Sequence, residues 1–182
     1  MSIGDAEIKT QERVIRLFKD PVILGYQYIG NLSDQQNKNI KEDRLRQYLR
    51  LKGYADKLID AAVMQLHQEA GNLSRGVYDA NKTVYSRLKY GIPVSESPEK
   101  PPVTVELIDE TNPLNNDFAI AEEVTVVEQQ EKRPDLVIYL NGIAVAVIEL
   151  KRSSISVSEG IRQNLTNQKD SFIRGFFTTM QF

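Results

Sequence analysis

The sequence predicts an α/β fold of the α+β kind, and three observations carry that prediction. Before residue 90, apolar side chains recur at helical spacing. Between residues 103 and 150 they fall instead into short runs rich in β-branched residues. Asn141-Gly142 then separates two such runs, the strongest short-range signal for a hairpin. Helices, a strand block and a further helix together imply a mixed sheet with an antiparallel hairpin, flanked by helices. The 182 residues suit one domain, 1–182, with a mainly helical half at 1–94 and a strand-rich half at 103–182.

The elements follow in order. Ile8, Val14, Ile15, Leu17 and Phe18 fall mostly on one helical face, and Pro21 closes the segment. Ile40, Leu45, Tyr48, Leu49 and Leu51 form a second helical stripe, which Gly53 is placed to stop. Leu58, Ile59, Ala62, Val63 and Leu66 form a third, followed by Gly71. Ser74 is a candidate cap for a fourth helix carrying Val77, Tyr78, Val84, Tyr85 and Leu88. Tyr48, Tyr54, Tyr78, Tyr85 and Tyr90 read as core, and His67 as a surface or packing residue. Ser95 to Pro102, with Pro98, Pro101 and Pro102, reads as a spacer. Val103–Ile108 and Phe118–Val127 are β-like, with a turn signalled at Asn112-Pro113 and Asn115-Asn116. Leu136–Leu140 and Ile143–Leu150 flank Asn141-Gly142. After Ser153 the pattern is helical through Ile161 and Leu165 towards Phe172, Phe176 and Phe177.

Composition narrows the chemistry. With no cysteine, thiol nucleophiles and cysteine-based zinc sites are excluded, and a single histidine excludes a histidine-pair metal site. Carboxylates, amines, amides and hydroxyls remain, a palette suited to oxygen-ligated metals such as magnesium. The longest apolar run, Ile143 to Ile148, is too short to span a membrane, and no signal-peptide pattern opens the chain, so a cytoplasmic location is expected. Neither glycine-rich phosphate-binding motif occurs. The net charge of -2 hides an asymmetry. Residues 38–89 hold eleven Lys/Arg against six Asp/Glu, and residues 96–135 hold three against eleven. The asymmetry fits either a polyanion-facing half beside a cation-holding half, or two sets of solvated faces.

Pro134-Asp135 opens one strand of the hairpin, and Glu149-Leu150-Lys151 closes the other. Glu149 and Lys151 are two apart and leave the same face of a strand. A regular two-residue turn would set Asp135 opposite Ile148 and point it away from Glu149. A three-residue loop would set Asp135 opposite Val147, with Glu149 a same-face diagonal neighbour at roughly 7–8 Å. Two carboxylates so placed can share one magnesium-like cation. An odd-numbered loop or a bulge is therefore predicted. The competing reading makes Asp135 a strand-start residue and Glu149–Lys151 an exposed salt bridge.

P-D followed by E-x-K on adjacent strands resembles the PD-(D/E)-x-K nuclease superfamily. The run Leu107–Lys151, with Asn112-Pro113, Asn116-Asp117-Phe118, Arg133-Pro134-Asp135, Asn141-Gly142 and Val147-Ile148-Glu149-Leu150-Lys151, resembles more closely the N-terminal nuclease domain of type I restriction enzyme R subunits. Arg87 to Val94 and the helical start around Glu12 also fit. The resemblance implies a restriction-endonuclease-like core that cleaves double-stranded DNA with Mg²⁺. Asp135 and Glu149 would ligate the metal, and Lys151 would orient water and offset phosphate charge. Glu12 resembles an accessory acid of the superfamily, or is a solvated helix carboxylate. Gln163 resembles the first residue of a Q-x-x-x-Y motif, with Asn167 in the tyrosine's place. Arg162 and Lys169 on the same helix are candidate DNA-backbone contacts. The family implies methylation and specificity subunits as partners, and ATP only through a C-terminal motor that this chain lacks. The chain is thus expected to be a fragment, weakly active or inactive alone. The other readings are a non-catalytic DNA-binding or docking module on the same scaffold, and a DNA-repair nuclease of the superfamily.

Overall fold

The computed structural model describes residues 3–97, 99–151 and 156–182; Pro98 of the spacer and Ser153 lie outside the described residues. Helix α1 (Ile3–Lys19) turns Val14, Ile15 and Phe18 inward, and strand β1 (Gln27–Asn31) follows it. Three helices come next: α2 (Glu42–Leu51), α3 (Asp56–Gly71) and α4 (Val77–Tyr90). In α2 the acidic first turn, Glu42 and Asp43, and the basic last turn, Arg50, both complement the helix dipole. Gly53 adopts φ +87 just beyond, as the stop signal requires.

Two expectations in this half need correction. Ser74 does not cap α4: the cap position is Gly76, and the Ser74 hydroxyl donates instead to Asn72 Oδ1 at 2.6 Å. The tyrosines are not uniformly core either. Tyr48 is buried, but Tyr78 is 77% and Tyr90 69% exposed, and Tyr85 is exposed too. Each carries a polar hydroxyl that solvent satisfies, so helical spacing alone does not place a tyrosine inside. His67 sits half-exposed on α3 with Nε2 3.2 Å from Glu42 Oε2.

Strands β2 (Ile92–Val94) and β3 (Val103–Val105) pair antiparallel. Strand β4 (Phe118–Glu122) is followed by the short antiparallel pair β5 (Val126–Val127) and β6 (Glu131–Lys132), then by β7 (Leu136–Leu140) and β8 (Ile143–Ile148). The principal sheet has the order β1-β4-β7-β8, with β1 parallel to β4 and the other neighbours antiparallel. It is a mixed sheet, as predicted. The sequence reading did not contain β1, whose QYIGN is short and half-buried.

Helix α5 (Val157–Asn167) ends sooner than the periodicity suggested. A polar turn follows, then a 3₁₀ helix (Arg174–Thr179) that drives Phe176 and Phe177 beneath the sheet. One face of the sheet meets α2, α3 and α4 through Ile138, Leu140, Ile143 and Val145. The other face meets the 3₁₀ helix through Val137, Tyr139, Ala144 and Val147. Near one end α1 covers Ile120, Leu136 and Ile148. The outer edge of β8 is sealed. Ala144 N donates to Asn39 O, and Gln181 N donates to Val145 O, each at 2.8 Å, which removes a template for edge pairing. No described helix is long and apolar enough to cross a membrane.

Candidate active site

The β7–β8 hairpin decides whether Asp135 and Glu149 can cooperate. Its turn has two residues, Asn141 and Gly142, with φ 52 and 82, the primed geometry that Asn-Gly favours. Alone it would leave the two acids on opposite faces. A bulge between the pairs Tyr139↔Ala144 and Ile138↔Ala146 adds one residue on β8. The ladder then runs Val137↔Val147 and Leu136↔Ile148. The pairing ends there, one step short of Asp135 and Glu149, and the charge of Asp135 reaches the Glu149 carboxyl. Of the two alternatives, an odd-numbered loop or a bulge, the hairpin has the two-residue turn with a register shift.

The strand ends hold the two carboxylates differently. Leu150 N donates to Asp135 Oδ2 at 2.6 Å, a short charge-assisted bond that pins the aspartate across the hairpin. Gln163, on α5, donates its amide to Glu149 Oε2 at 2.8 Å. The other oxygen, Glu149 Oε1, is buried and has no hydrogen-bond partner among the described residues. Burial, then the charge of Asp135, pushes the Glu149 carboxyl up to about 7, against the opposing pull of Lys151; Glu123 adds to the rise. Lys151 is partly buried. A Cβ at Gly160 would lie 3.7 Å from Lys151 Cγ, so α5 passes over the lysine stem at a glycine.

A third acid approaches from β4. Glu123 has φ 51, unusual for a residue with a side chain. Its backbone N donates to Asp135 O at 2.8 Å, which fixes the β4 end to the start of β7. Strand alternation would separate Glu122 from Glu123, yet Gln11 Nε2 reaches both carboxylates, at 2.8 and 3.3 Å. Arg133 Nε lies 3.1 Å from Glu123 Oε2. The Tyr28 hydroxyl donates to Glu122 Oε1 at 2.5 Å, and burial, reinforced by that bond, pushes the phenol up to about 12.

Of the other sequence candidates, Glu12 is exposed on α1, and its neighbour Gln11 is the side chain that reaches the acids. Arg162 and Lys169 are exposed on and just beyond α5. Asn167 is buried. The sequence reading missed Gln11 and Glu123. No local pattern marks either one, since their proximity arises from a helix and a strand end more than a hundred residues apart.

The donor set fits a hard divalent cation. Among the described residues no three His, Cys, Asp or Glu side chains converge to hold a metal by themselves. Magnesium commonly takes one or two carboxylates and completes its shell with water and phosphate oxygens. A cation beside Glu149 Oε1 would partner that buried oxygen and offset the repulsion that raises its proton affinity.

Comparison with known proteins relates the chain to a family and to a named protein. A family model described as type I restriction enzyme R protein N terminus matches residues 7–182. A chain of Methanocaldococcus jannaschii, assigned the name type I restriction enzyme MjaIXP endonuclease subunit, is 28% identical over 122 residues. That stretch is 62% of this chain and 12% of the relative's own length.

Proposed function

Because the chain belongs to the family of type I restriction enzyme R protein N termini, we propose that it is the endonuclease unit of such an enzyme, hydrolysing phosphodiester bonds of double-stranded DNA with Mg²⁺. One observation supports this reading: Asp135 and Glu149 flank the ends of the bulged hairpin, and Gln163 donates to a glutamate whose other oxygen is buried without a partner among the described residues. On this reading the scaffold is a PD-(D/E)-x-K nuclease core, with Asp135 and Glu149 holding the ion. The ion would supply Lewis-acid polarisation of the phosphate.

The chain's own groups do the rest. Leu150 N holds Asp135, and Gln163 holds Glu149, so each carboxylate is restrained before substrate arrives. Lys151 offsets charge on the phosphate and orients the attacking water. The water oxygen bonds to phosphorus and gives up one proton, one bridging P–O bond breaks, and the departing oxygen takes up one proton, so the step balances with water as the only reactant added. Arg162 and Lys169 lie on the α5 side, where they would meet DNA backbone. In the whole enzyme this unit would work with methylation and specificity subunits and an ATP-driven motor.

Two measurements test the assignment. In the complete enzyme, Asp135→Ala, Glu149→Ala and Lys151→Ala should each lower DNA cleavage by at least about a hundredfold, the scale of losing one principal transition-state stabiliser. Unchanged restriction by any of the three would remove that residue from the site. Calorimetric titration of the chain with Mg²⁺ should show binding that Glu149→Gln abolishes. Equal binding by both proteins would favour the docking-module reading.

A further inference from the structure

We propose that the open groove between β6 and α5 is a nucleotide subsite, taking the DNA phosphates next to the cleaved bond between Lys132 and Arg162. The inference rests on the nuclease reading and extends it to where the strand runs. The groove has a volume of about 350 Å³ and is lined by Lys132, Glu159, Arg162, Gln163, Thr166 and Asn167. That size lies at the lower end of small-ligand clefts, about 300–1,000 Å³.

Four features argue for a nucleotide. First, Gln163 borders the groove and also donates to Glu149, so an occupant sits beside the paired acids. Second, the groove has a cation on each wall. Lys132 comes from β6 and Arg162 from α5. The Lys132 ammonium lies 4.7 Å from the centre of the Phe172 ring, and neither cation has a carboxylate partner among the described residues. Third, Asn167 borders the groove although the residue is only 3% exposed, so the part of it that can be reached faces the groove. Its backbone carbonyl is engaged, accepting from Ile173 N. Its side-chain amide carries both a donor and an acceptor, which a base edge or sugar hydroxyl can match. Fourth, Glu159 is the one carboxylate on the lining, so the groove keeps an excess positive charge suited to a phosphodiester.

The test uses the full chain, a short duplex DNA, and Ca²⁺ in place of Mg²⁺ so that binding is read without cleavage. Fluorescence anisotropy is followed across a salt series. Lys132→Ala and Arg162→Ala should each weaken binding about 3- to 10-fold and reduce the log–log salt slope by about 0.9, the loss of one phosphate contact. Asn167→Ala should weaken binding without changing the slope. Glu159→Gln should tighten binding, a sign that loss of structure would not produce. Arg75→Ala, at the exposed start of α4, should leave both readouts unchanged. If wild type binds and the Lys132 and Arg162 variants match it, the groove is overturned while the Asp135–Glu149 site stands. If Arg75→Ala has the same effect as Lys132→Ala, the binding reflects diffuse charge and the groove is again overturned. If wild type binds no duplex, both the groove and the nuclease reading fail.

Discussion

Glu149 ties the candidate chemistry to the stability of the fold. Its carboxyl is raised from 4.5 to about 7, first by burial and then by Asp135. Between those values the folded protein holds a proton that the unfolded chain has already released. The group's favourable contribution is therefore complete below pH 4.5 and is lost as pH rises through 7. A rise of about 2.5 units corresponds to roughly 3 kcal/mol, and partial solvent screening reduces that to about 1–2 kcal/mol. Glu149→Gln, which cannot ionise, should be more stable than wild type by about that amount at pH 8 and nearly equal to it at pH 4. Urea midpoints at the two pH values check this. A gap of the same size at both would mean that ionisation is not the cause. The site residues themselves differ in how well the sequence displays them. Asp135, Glu149 and Lys151 stand out because charged groups bound an apolar hairpin. Gln163 stands out only through its spacing beyond that motif. Glu123 carries no local signal, because its role depends on a left-handed backbone and on the neighbouring strand.

Secondary-structure elements show the same division. Asn141-Gly142 is legible because few other dipeptides suit a turn with two positive φ values. The bulge is not legible from hydropathy. Every residue from Ile143 to Ile148 is apolar, and the sheet is covered on both faces, so the pattern has no phase to break. Only the requirement that Asp135 and Glu149 share a face pointed to it. The short 3₁₀ helix was read as a continuation of α5 because its phenylalanines keep a near-helical spacing. The hairpin turn is also a packing point. A Cβ on Gly142 would meet Lys41 O at 2.6 Å and Leu45 N at 2.8 Å, both backbone atoms at the start of α2, and its φ of +82 disfavours any side chain. Gly142→Ala should therefore destabilise the protein by about 2–4 kcal/mol, combining the left-handed penalty with a clash that backbone cannot easily relieve. Thermal or urea unfolding measures it. A loss below 0.5 kcal/mol would show that the α2–hairpin contact is loose.

At the scale of the whole molecule, the uneven charge of the sequence resolves into contacts between its two halves. Lys52, from the basic stretch, donates to Asp109 Oδ2 at 2.9 Å, and Arg44 donates to Asp117 Oδ1 at 2.6 Å. These two pairs join the stretches, while the other ion pairs of the basic stretch among the described residues lie within it. The acids left at the sheet end, Glu122, Glu123, Asp135 and Glu149, come from three strand ends held between α1 and α5. No window of sequence contains that arrangement, so Glu122 and Glu123 carry no signal in the sequence. The Lys52–Asp109 contact also predicts how the halves separate in acid. Asp109 is buried and accepts from Asn115 Nδ2, Lys52 Nζ and Asn112 N. The Asn115 amide, the Lys52 ammonium and the Asn112 N–H hold its carboxyl well below the usual carboxylate range. A depressed folded value contributes stability above the unfolded pKa near 3.8 and loses it as pH falls towards the folded value. Asp109→Asn keeps the shape but cannot carry the charge. It should lower the melting temperature at pH 7 and approach wild type as the pH falls below 3. A melting difference that stays constant over that range would assign Asp109 to packing alone, and the junction between the helical and strand-rich halves would then owe nothing to its charge.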